Sequence, residues 1–192
     1  MNRLIARSIL ITALTAALTV SALAAINQPY RVATASPASA EFNFRVTLIP
    51  VPGQINAVTA KLNLNLQKLE QTSGTVSVDL SKLDTGIGLR DEHARGYLGA
   101  DKHPNAVFTL SRVTGISKLT AGKAVTATAI GQFNINGISK PLSAPITLEL
   151  TGNRVKVSTA FNVILGDHKI SIPGADAAVD VKVNFSLEPN AP

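Results

Sequence analysis

Strict alternation of apolar and polar residues is the feature that most constrains how this chain of 192 residues can fold. It is cleanest near the C-terminus, where the odd-numbered residues from Val179 to Leu187 are apolar and the even-numbered residues are polar or charged. Successive side chains of a β-strand point to opposite faces, so this segment is predicted to be a strand with one apolar face. Shorter stretches of the same pattern lie at residues 42–48, 62–66, 76–80, 108–110, 146–150 and 155–157.

The breaks between these segments predict antiparallel hairpins. Asn136-Gly137 lies between apolar residues and is typical of a type I′ turn, which requires two residues that tolerate positive φ. A second hairpin is predicted at residues 71–74, which read Gln-Thr-Ser-Gly. About eight strands without a helical layer predict an all-β fold, either a barrel or a sandwich. Closure into an antiparallel barrel would also remove exposed strand edges.

One short helix is predicted to interrupt the strands near residues 89–100. The acidic Asp91 and Glu92 lie near its start, where their negative charge interacts favourably with the helix dipole. Gly96 and Gly99 are poor helix formers, so the helix is predicted to be short and weak. Helical spacing predicts the face that turns toward the barrel, which would consist of Leu89, His93, Tyr97 and Ala100.

The N-terminus has the pattern of an export signal. Arg3 and Arg7 precede an uncharged stretch from Ser8 to Val20, and Ala22-Leu23-Ala24 is an A-x-A cleavage site. We therefore divide the chain into a signal peptide (1–24), a flexible lead-in rich in Ala, Ser, Thr and Pro (25–39) and one β-barrel domain (40–192). An uncleaved membrane anchor is the alternative. The chain has no Cys, which excludes a lipid-modified lipoprotein and a disulfide framework.

Charge and aromatic content exclude several binding functions. Loss of Arg3 and Arg7 with the signal would lower the net charge from +6 to +4, and the remaining basic residues are scattered singly between apolar neighbours. A nucleic-acid site would cluster them with aromatic residues, so we expect no nucleic-acid partner and at most a transient contact with a membrane. The absence of Trp, with only six Phe and two Tyr, predicts an aliphatic inner wall and disfavours sugar binding by stacking.

Catalytic and metal-binding motifs are missing from the sequence. His93, His103 and His168 form no HExxH pair, and there is no Cys to complete a zinc site. There is no G-x-S-x-G elbow and no P-loop, and Gly86-x-Gly88 lacks the third glycine of a dinucleotide loop. The protein is therefore predicted not to be an enzyme, with no cofactor and no metal.

Four blocks of sequence follow one another in an order typical of one protein family. They are Ser77–Leu80 leading to Thr85, Arg90-Asp91 with His93, His103-Pro104 before Phe108, and Gly131–Pro141. In these blocks the chain resembles the YceI-like family of exported, lipocalin-like proteins that bind polyisoprenoid lipids. The resemblance covers about residues 40–187. It is that of a divergent member, with Ala60 and Leu62 in place of a glycine and an aromatic, and with residues 161–169 keeping Asp167 but not the family's arginine and final glycine.

The resemblance implies a lipocalin-like barrel in the periplasm or outside the cell that sequesters or carries a long-chain polyisoprenoid, either an isoprenoid quinone or a polyprenyl phosphate. The partner is then this lipid, and the protein is a monomer or a homodimer. The inward-facing residues expected to line the ligand cavity are Phe42, Phe44, Leu62, Leu64, Val78, Phe108, Phe133, Leu148, Phe161, Val181, Val183 and Phe185.

Two alternatives remain open at this stage. Arg90 and His93 are candidates to contact the lipid head group, but Arg90 and Asp91 could instead tie the short helix to the barrel through backbone hydrogen bonds. The barrel could also have a filled core and act as an envelope-stress or protein-interaction module, because an eight-stranded barrel can either pack its centre or hold a small ligand.

Overall fold

A computed structural model describes residues 27–190, which form ten strands and one α-helix. The signal peptide predicted at residues 1–24 lies outside the described residues. Single turns of 3-10 helix occur at Leu69–Gln71, Leu80–Lys82 and Leu165–His168. The longer elements are β1 (Gln28–Val32), β2 (Ser39–Val46), β3 (Ile49–Ile55), β4 (Val58–Leu64), β5 (Ser73–Asp79), α1 (Gly88–Tyr97), β6 (Asn105–Thr114), β7 (Ala124–Ile135), β8 (Ile138–Thr151), β9 (Arg154–Ile164) and β10 (Ala178–Pro189).

The strands close into an antiparallel barrel with eight strand positions, which confirms the predicted fold class. β1 and β2 pair in succession with β10, through Val32 opposite Leu187 and Ala40 opposite Val183. On their other side, β1 pairs with β4 and β2 pairs with β3. β1 and β2 therefore share one strand position, β3 and β4 share the next, and β5 to β10 follow in chain order around the barrel.

The prediction of a flexible lead-in at residues 25–39 was wrong for β1. This strand pairs on both sides and closes the barrel, and it buries Tyr30 to 3% exposure, followed by Ala33 at 1%. The burial also raises the pKa of the Tyr30 hydroxyl by desolvation. The pattern was missed because the strand has five residues, includes Pro29 and carries one fully buried side chain, too little for a period to be visible.

The alternating residues face the interior as the sequence predicts. In β4 every second residue is buried, and β10 buries Val179, Val183, Phe185 and Leu187. Full burial of such a side chain contributes about 1.5–3 kcal/mol to folding. Gly131 is required in this wall, because a Cβ there would meet the carbonyl oxygen of Thr109 on β6 beside a register shift.

The two ends of the barrel are built differently. At one end, which we call the plug end, the connections of β4 to β5 and β6 to β7 cover the opening with Leu69 (1% exposed) and Leu119 (4% exposed). Backbone bonds join these loops, from Leu69 N to Ser117 O at 2.7 Å and from Leu119 N to Leu66 O at 2.9 Å. The opposite end, the helix end, carries α1 and the β2–β3, β7–β8 and β9–β10 connections.

The short helix lies where it was predicted, but of the four residues predicted to face the barrel only Ala100, just after the end of α1, is buried. Leu89 is 64% exposed and Tyr97 is 44% exposed, and His93 is exposed as well. Asp91 is buried instead, and Ala94 and Leu98 pack against the core. The helix is rotated because the Asp91 carboxylate accepts hydrogen bonds from the preceding loop, and that contact determines which side faces inward.

Candidate ligand cavity

The interior of the barrel contains two adjacent apolar cavities. The plug-side cavity has a volume of about 120 Å³ and is enclosed by β4 to β10 above Leu69 and Leu119. The helix-side cavity has a volume of about 130 Å³ and lies under Ala94 and Leu98 of the α1 region. Each is slightly smaller than the engineered 150 Å³ cavity of another protein that stays dry and binds benzene.

All twelve side chains predicted to line a ligand cavity border one of these two spaces, although their role in binding remains a prediction. Those that border only the plug-side cavity are Leu62, Leu64, Phe108, Leu148 and Phe185. Those that border only the helix-side cavity are Phe42, Phe44 and Val181. Those that border both are Val78, Phe133, Phe161 and Val183.

The two cavities meet at a shared set of lining residues, which we call the waist. Its walls are Val78, Ala106, Val183 and the rings of Phe133 and Phe161, which line both spaces. The two ring centroids are 6.0 Å apart at an angle of 71°, an edge-to-face contact. These two aromatic side chains therefore lie in the wall that the two cavities share.

Sequence reasoning missed the residues that cap the cavities at either end. Leu69 and Leu119 at the plug end, and Leu98 at the helix end, come from loops or helix termini rather than from strands. A period of two cannot identify them. The available signal was weaker, namely single leucines within otherwise polar connections.

Few polar residues line the cavities, namely Thr72 and Thr159 in the plug-side cavity and Glu41 in the helix-side cavity. Thr159 donates its hydroxyl to Pro145 O at 2.7 Å. The hydroxyl of Thr72, on the wall of the plug-side cavity, is buried without a hydrogen-bond partner among the described residues. The walls thus offer little to a polar ligand and suit a hydrocarbon.

Thr85 is the centre of a hydrogen-bonded cluster that attaches α1 to the barrel. Its backbone N–H donates to Asp91 Oδ1 at 2.8 Å, and its hydroxyl donates to the same oxygen. Arg90 donates from Nε to Thr85 Oγ1 at 2.8 Å and from Nη2 to Thr85 O at 2.6 Å. The side-chain bond from Thr85 is the main reason that the pKa of Asp91 lies below its ordinary value of 3.8.

The two side chains predicted to contact a head group do not border either cavity. Arg90 is half-buried in the Thr85 cluster, and His93 is exposed on the outer side of α1. The hydrogen bonds of Arg90 and Asp91 are those of the structural alternative, in which the pair fixes the helix. A role of Arg90 or His93 in binding a head group remains a prediction.

A second cluster joins the β7–β8 turn to the end of β9. Asn136 donates its amide to His168 O at 3.1 Å, and His168 Nδ1 lies 2.9 Å from Ile138 O. Because a carbonyl can only accept, Nδ1 carries the proton in this contact. The ring of His168 is 3% exposed and meets Phe133 edge-on at 5.5 Å. The position of the waist is therefore fixed by hydrogen bonds at the helix end.

Exposed apolar side chains are concentrated at the helix end. The large hydrophobic residues that are exposed in the described part of the chain all lie there, and we call them the apolar rim: Leu48, Ile49, Ile87, Leu89, Tyr97 and Ile164. Leu48 is 84% exposed at the tip of the β2–β3 hairpin, where it and Thr47 have positive φ of 70° and 50°. Such backbone strain in residues other than glycine is uncommon and frequently associated with function.

Outside the barrel wall, a groove of about 720 Å³ runs beside the β2–β3 hairpin. Its charged lining consists of Glu41, Asp84, Asp180 and Lys182, so three carboxylates disfavour an anionic head group there. Among residues 27–190, no cluster of His, Asp and Glu side chains could hold a metal ion. Within the same residues, no helix has the length and apolar character needed to span a membrane.

Comparisons with known proteins agree with this architecture. A UPF0312 protein of Yersinia enterocolitica is 28% identical over 121 residues, and one of Yersinia pestis is 29% identical. Each match covers 59% of this chain and 59% of the relative, so the chain aligns with less than two thirds of the length of these curated relatives.

Solved structures share the fold at low identity. Burkholderia cenocepacia BcnA has a TM-score of 0.66 at 18% identity, covering 79% of this chain and 95% of its own. A polyisoprenoid binding domain from Saccharophagus degradans has a TM-score of 0.67 at 14% identity, covering 84% of this chain and 99% of its own. The family model described as YceI-like domain matches residues 32–189, and the chain therefore belongs to the YceI-like family.

Proposed function

We propose that this protein is a non-catalytic lipid-binding protein that sequesters or carries a long-chain polyisoprenoid amphiphile, either an isoprenoid quinone or a polyprenyl phosphate. The observation that carries the proposal is the pair of apolar cavities in the barrel interior, which together are bordered by all the alternating residues predicted to face a ligand. Family membership supports it, as does the shared fold with a polyisoprenoid binding domain.

The aliphatic character of the interior favours a flexible hydrocarbon over other ligands. Leucine, valine, isoleucine and alanine make up most of both walls, and each CH₂ group that a ligand buries there contributes about 0.8 kcal/mol before ordering costs. A polyisoprenoid chain consists entirely of apolar hydrocarbon groups of this kind, namely CH₂, CH₃ and alkene carbons. Its polar head would stay outside, where water or surface side chains can solvate it.

We also propose that the protein works in the periplasm or outside the cell and takes up its lipid through a transient membrane contact at the helix end. The signal-like N-terminus supports the location. The apolar rim supports the contact, since its side chains lie at the end of the barrel where Phe44 and Leu98, which line the helix-side cavity, are only partly buried. A second copy of the chain is the other occupant to consider for this rim, and analytical ultracentrifugation would show a homodimer directly.

The direct test is mass spectrometry of an organic extract from the natively purified protein. We expect an isoprenoid lipid to be retained by the wild type and lost from Val183→Phe, which fills space on the walls of both cavities. An extract without isoprenoid from the wild type, together with no binding of added polyprenyl lipids, would refute lipid carriage.

A filled-core interaction module is the second candidate function, and one observation favours it. The two cavities are small, and the inner-wall residues Val155 and Leu187 are already as buried as an ordinary core. In this case the apolar rim would bind a protein partner. Prenyl lipids would then fail to bind at every chain length, whereas the carrier predicts affinity that rises with length.

A further inference from the structure

The two cavities are too small, taken singly, for the long chain proposed above. Each has a volume below that of a cavity that accommodates benzene, which has six carbon atoms. Each therefore matches about one five-carbon isoprene unit. A longer chain has to occupy both spaces at once and pass the waist.

The waist can open by the movement of one ring. Phe133 contacts two rings, Phe161 at 6.0 Å and His168 at 5.5 Å, and His168 is itself buried and hydrogen-bonded to Ile138 O. Among the described residues, the ring contact recorded for Phe161 is with Phe133. Phe133 is thus held on two sides, whereas Phe161 is held on one.

Phe161 borders empty volume on both sides of the waist. Its side chain, like that of Phe133, is only partly buried against the core. Rotation about χ1 to another staggered position would therefore cost mainly the edge-to-face contact with Phe133.

From these contacts we infer that Phe161 is an internal gate between two subsites, and that the linear chain of the proposed ligand places at least one isoprene unit on each side of it. This inference rests on the proposed function. A flexible chain can place a unit in each cavity and a single extended segment at the waist. A compact polycyclic molecule larger than about one six-membered ring fits neither cavity.

The test compares chain length and shape in matched variants. Prenol, geraniol and farnesol have one, two and three isoprene units, and decahydro-2-naphthol has as many carbon atoms as geraniol in a compact form. Isothermal titration calorimetry with the wild type, Phe161→Leu and Phe108→Leu separates the gate from general wall effects, because Phe108 borders only the plug-side cavity. Thermal melts confirm that both variants fold.

We expect the ratio of geraniol affinity to prenol affinity to rise about two- to tenfold in Phe161→Leu, because the second unit no longer displaces a ring from its aromatic contact. The ratio should be unchanged in Phe108→Leu, and decahydro-2-naphthol should bind the wild type more weakly than geraniol does. Equal ratios in both variants would overturn the gate, and equal binding of the two ten-carbon alcohols would overturn the linear-chain inference.

If no prenyl alcohol binds, that result counts against the proposed function itself. Xenon binding then tests the gate independently of any prenyl ligand. Crystals of the wild type under xenon pressure should show two separate sites, one on each side of Phe161, and Phe161→Leu should show xenon at the waist as well. Continuous xenon density through the wild-type waist, or no xenon in either cavity, would overturn the partition.

Discussion

The two ends of this barrel close the same interior by different means. At the plug end, Leu69 and Leu119 are fully buried and their loops are joined by backbone hydrogen bonds. At the helix end, α1 is held largely by the polar cluster around Thr85, while its inward residues Ala94 and Leu98 are only partly buried. Few buried apolar contacts favour local opening, and α1 contributes only the partly buried Ala94 and Leu98, so the helix end is the end that we expect to open for a ligand.

The hairpin turns at the helix end show the same contrast on a smaller scale. Asn136-Gly137 has φ of 53° and 73° and uses residues that the turn prefers, which confirms the predicted hairpin. Thr47-Leu48 has nearly the same φ values with a β-branched and a γ-branched residue, each at a cost of about 1–2 kcal/mol. Leu48 is exposed, so the strained turn presents an apolar side chain to solvent and gains no core burial in return.

The strongest test of the contrast removes one leucine from each end. Leu69→Ala should lower the free energy of unfolding by about 2–5 kcal/mol, because it empties a site with no exposure to solvent. Leu98→Ala, the matched change at the helix end, should cost less than half as much because Leu98 is only partly buried. Urea denaturation measures both. Equal losses would mean that the two ends are equally well packed.

A second test addresses the polar cluster through pH. The pKa of Asp91 is lowered in the folded state, so its ionised form stabilises the fold above pH 4, and this contribution is lost as the pH falls through the folded pKa. Asp91→Asn should cost about 1–3 kcal/mol at pH 7, because it weakens both bonds from Thr85.

Between pH 7 and pH 2, the melting temperature should therefore fall less for Asp91→Asn than for the wild type. Glu92→Gln is the matched control on the same helix, since Glu92 is exposed, and it should keep the wild-type slope. If the melting temperature of Asp91→Asn still fell as steeply with pH as that of the wild type, the acid sensitivity of the fold would come from other groups.

The third test exchanges the chemistry of the two turns. Replacing Thr47-Leu48 with Asn-Gly should raise the free energy of unfolding by at least about 1–2 kcal/mol, the cost at position 48 that glycine removes, with a smaller gain from Asn at position 47. The same variant should bind less to vesicles of mixed zwitterionic and anionic phospholipid, because it removes Leu48 from the apolar rim. Leu48→Asn alone separates the two effects, and unchanged vesicle binding in both variants would contradict the membrane contact.

The smallest expected effect on stability comes from filling the cavities. Val183→Phe should cost less than about 1 kcal/mol, since Val183 borders both empty spaces, whereas Val58→Phe should show the overpacking cost of about 1–3 kcal/mol typical of a filled site. Val58 is buried and borders neither cavity. A strongly destabilised Val183→Phe would favour the filled-core alternative.

Features of the fold that come from a pattern repeated over many residues could be predicted, and features that depend on a single contact could not. Alternation identified β10 and the inward set because it repeats over nine residues. It did not identify β1, where only Tyr30 is fully buried within the strand. Helical spacing placed α1 correctly but gave the wrong face, because one buried carboxylate, Asp91, outweighed the hydrophobicity of Leu89 and Tyr97.

By itself, the sequence determined the all-β class, the antiparallel order, the Asn136-Gly137 turn and the residues that face inward. These follow from local rules, namely side-chain direction along a strand and the φ that a residue tolerates. Only the tertiary structure decided that β1 closes the barrel, that Arg90 and Asp91 tie down the helix, and that Phe133 and Phe161 divide the interior in two. These features depend on contacts between side chains or strands that the fold brings together, and a local pattern of apolar and polar residues does not specify which residues make such contacts.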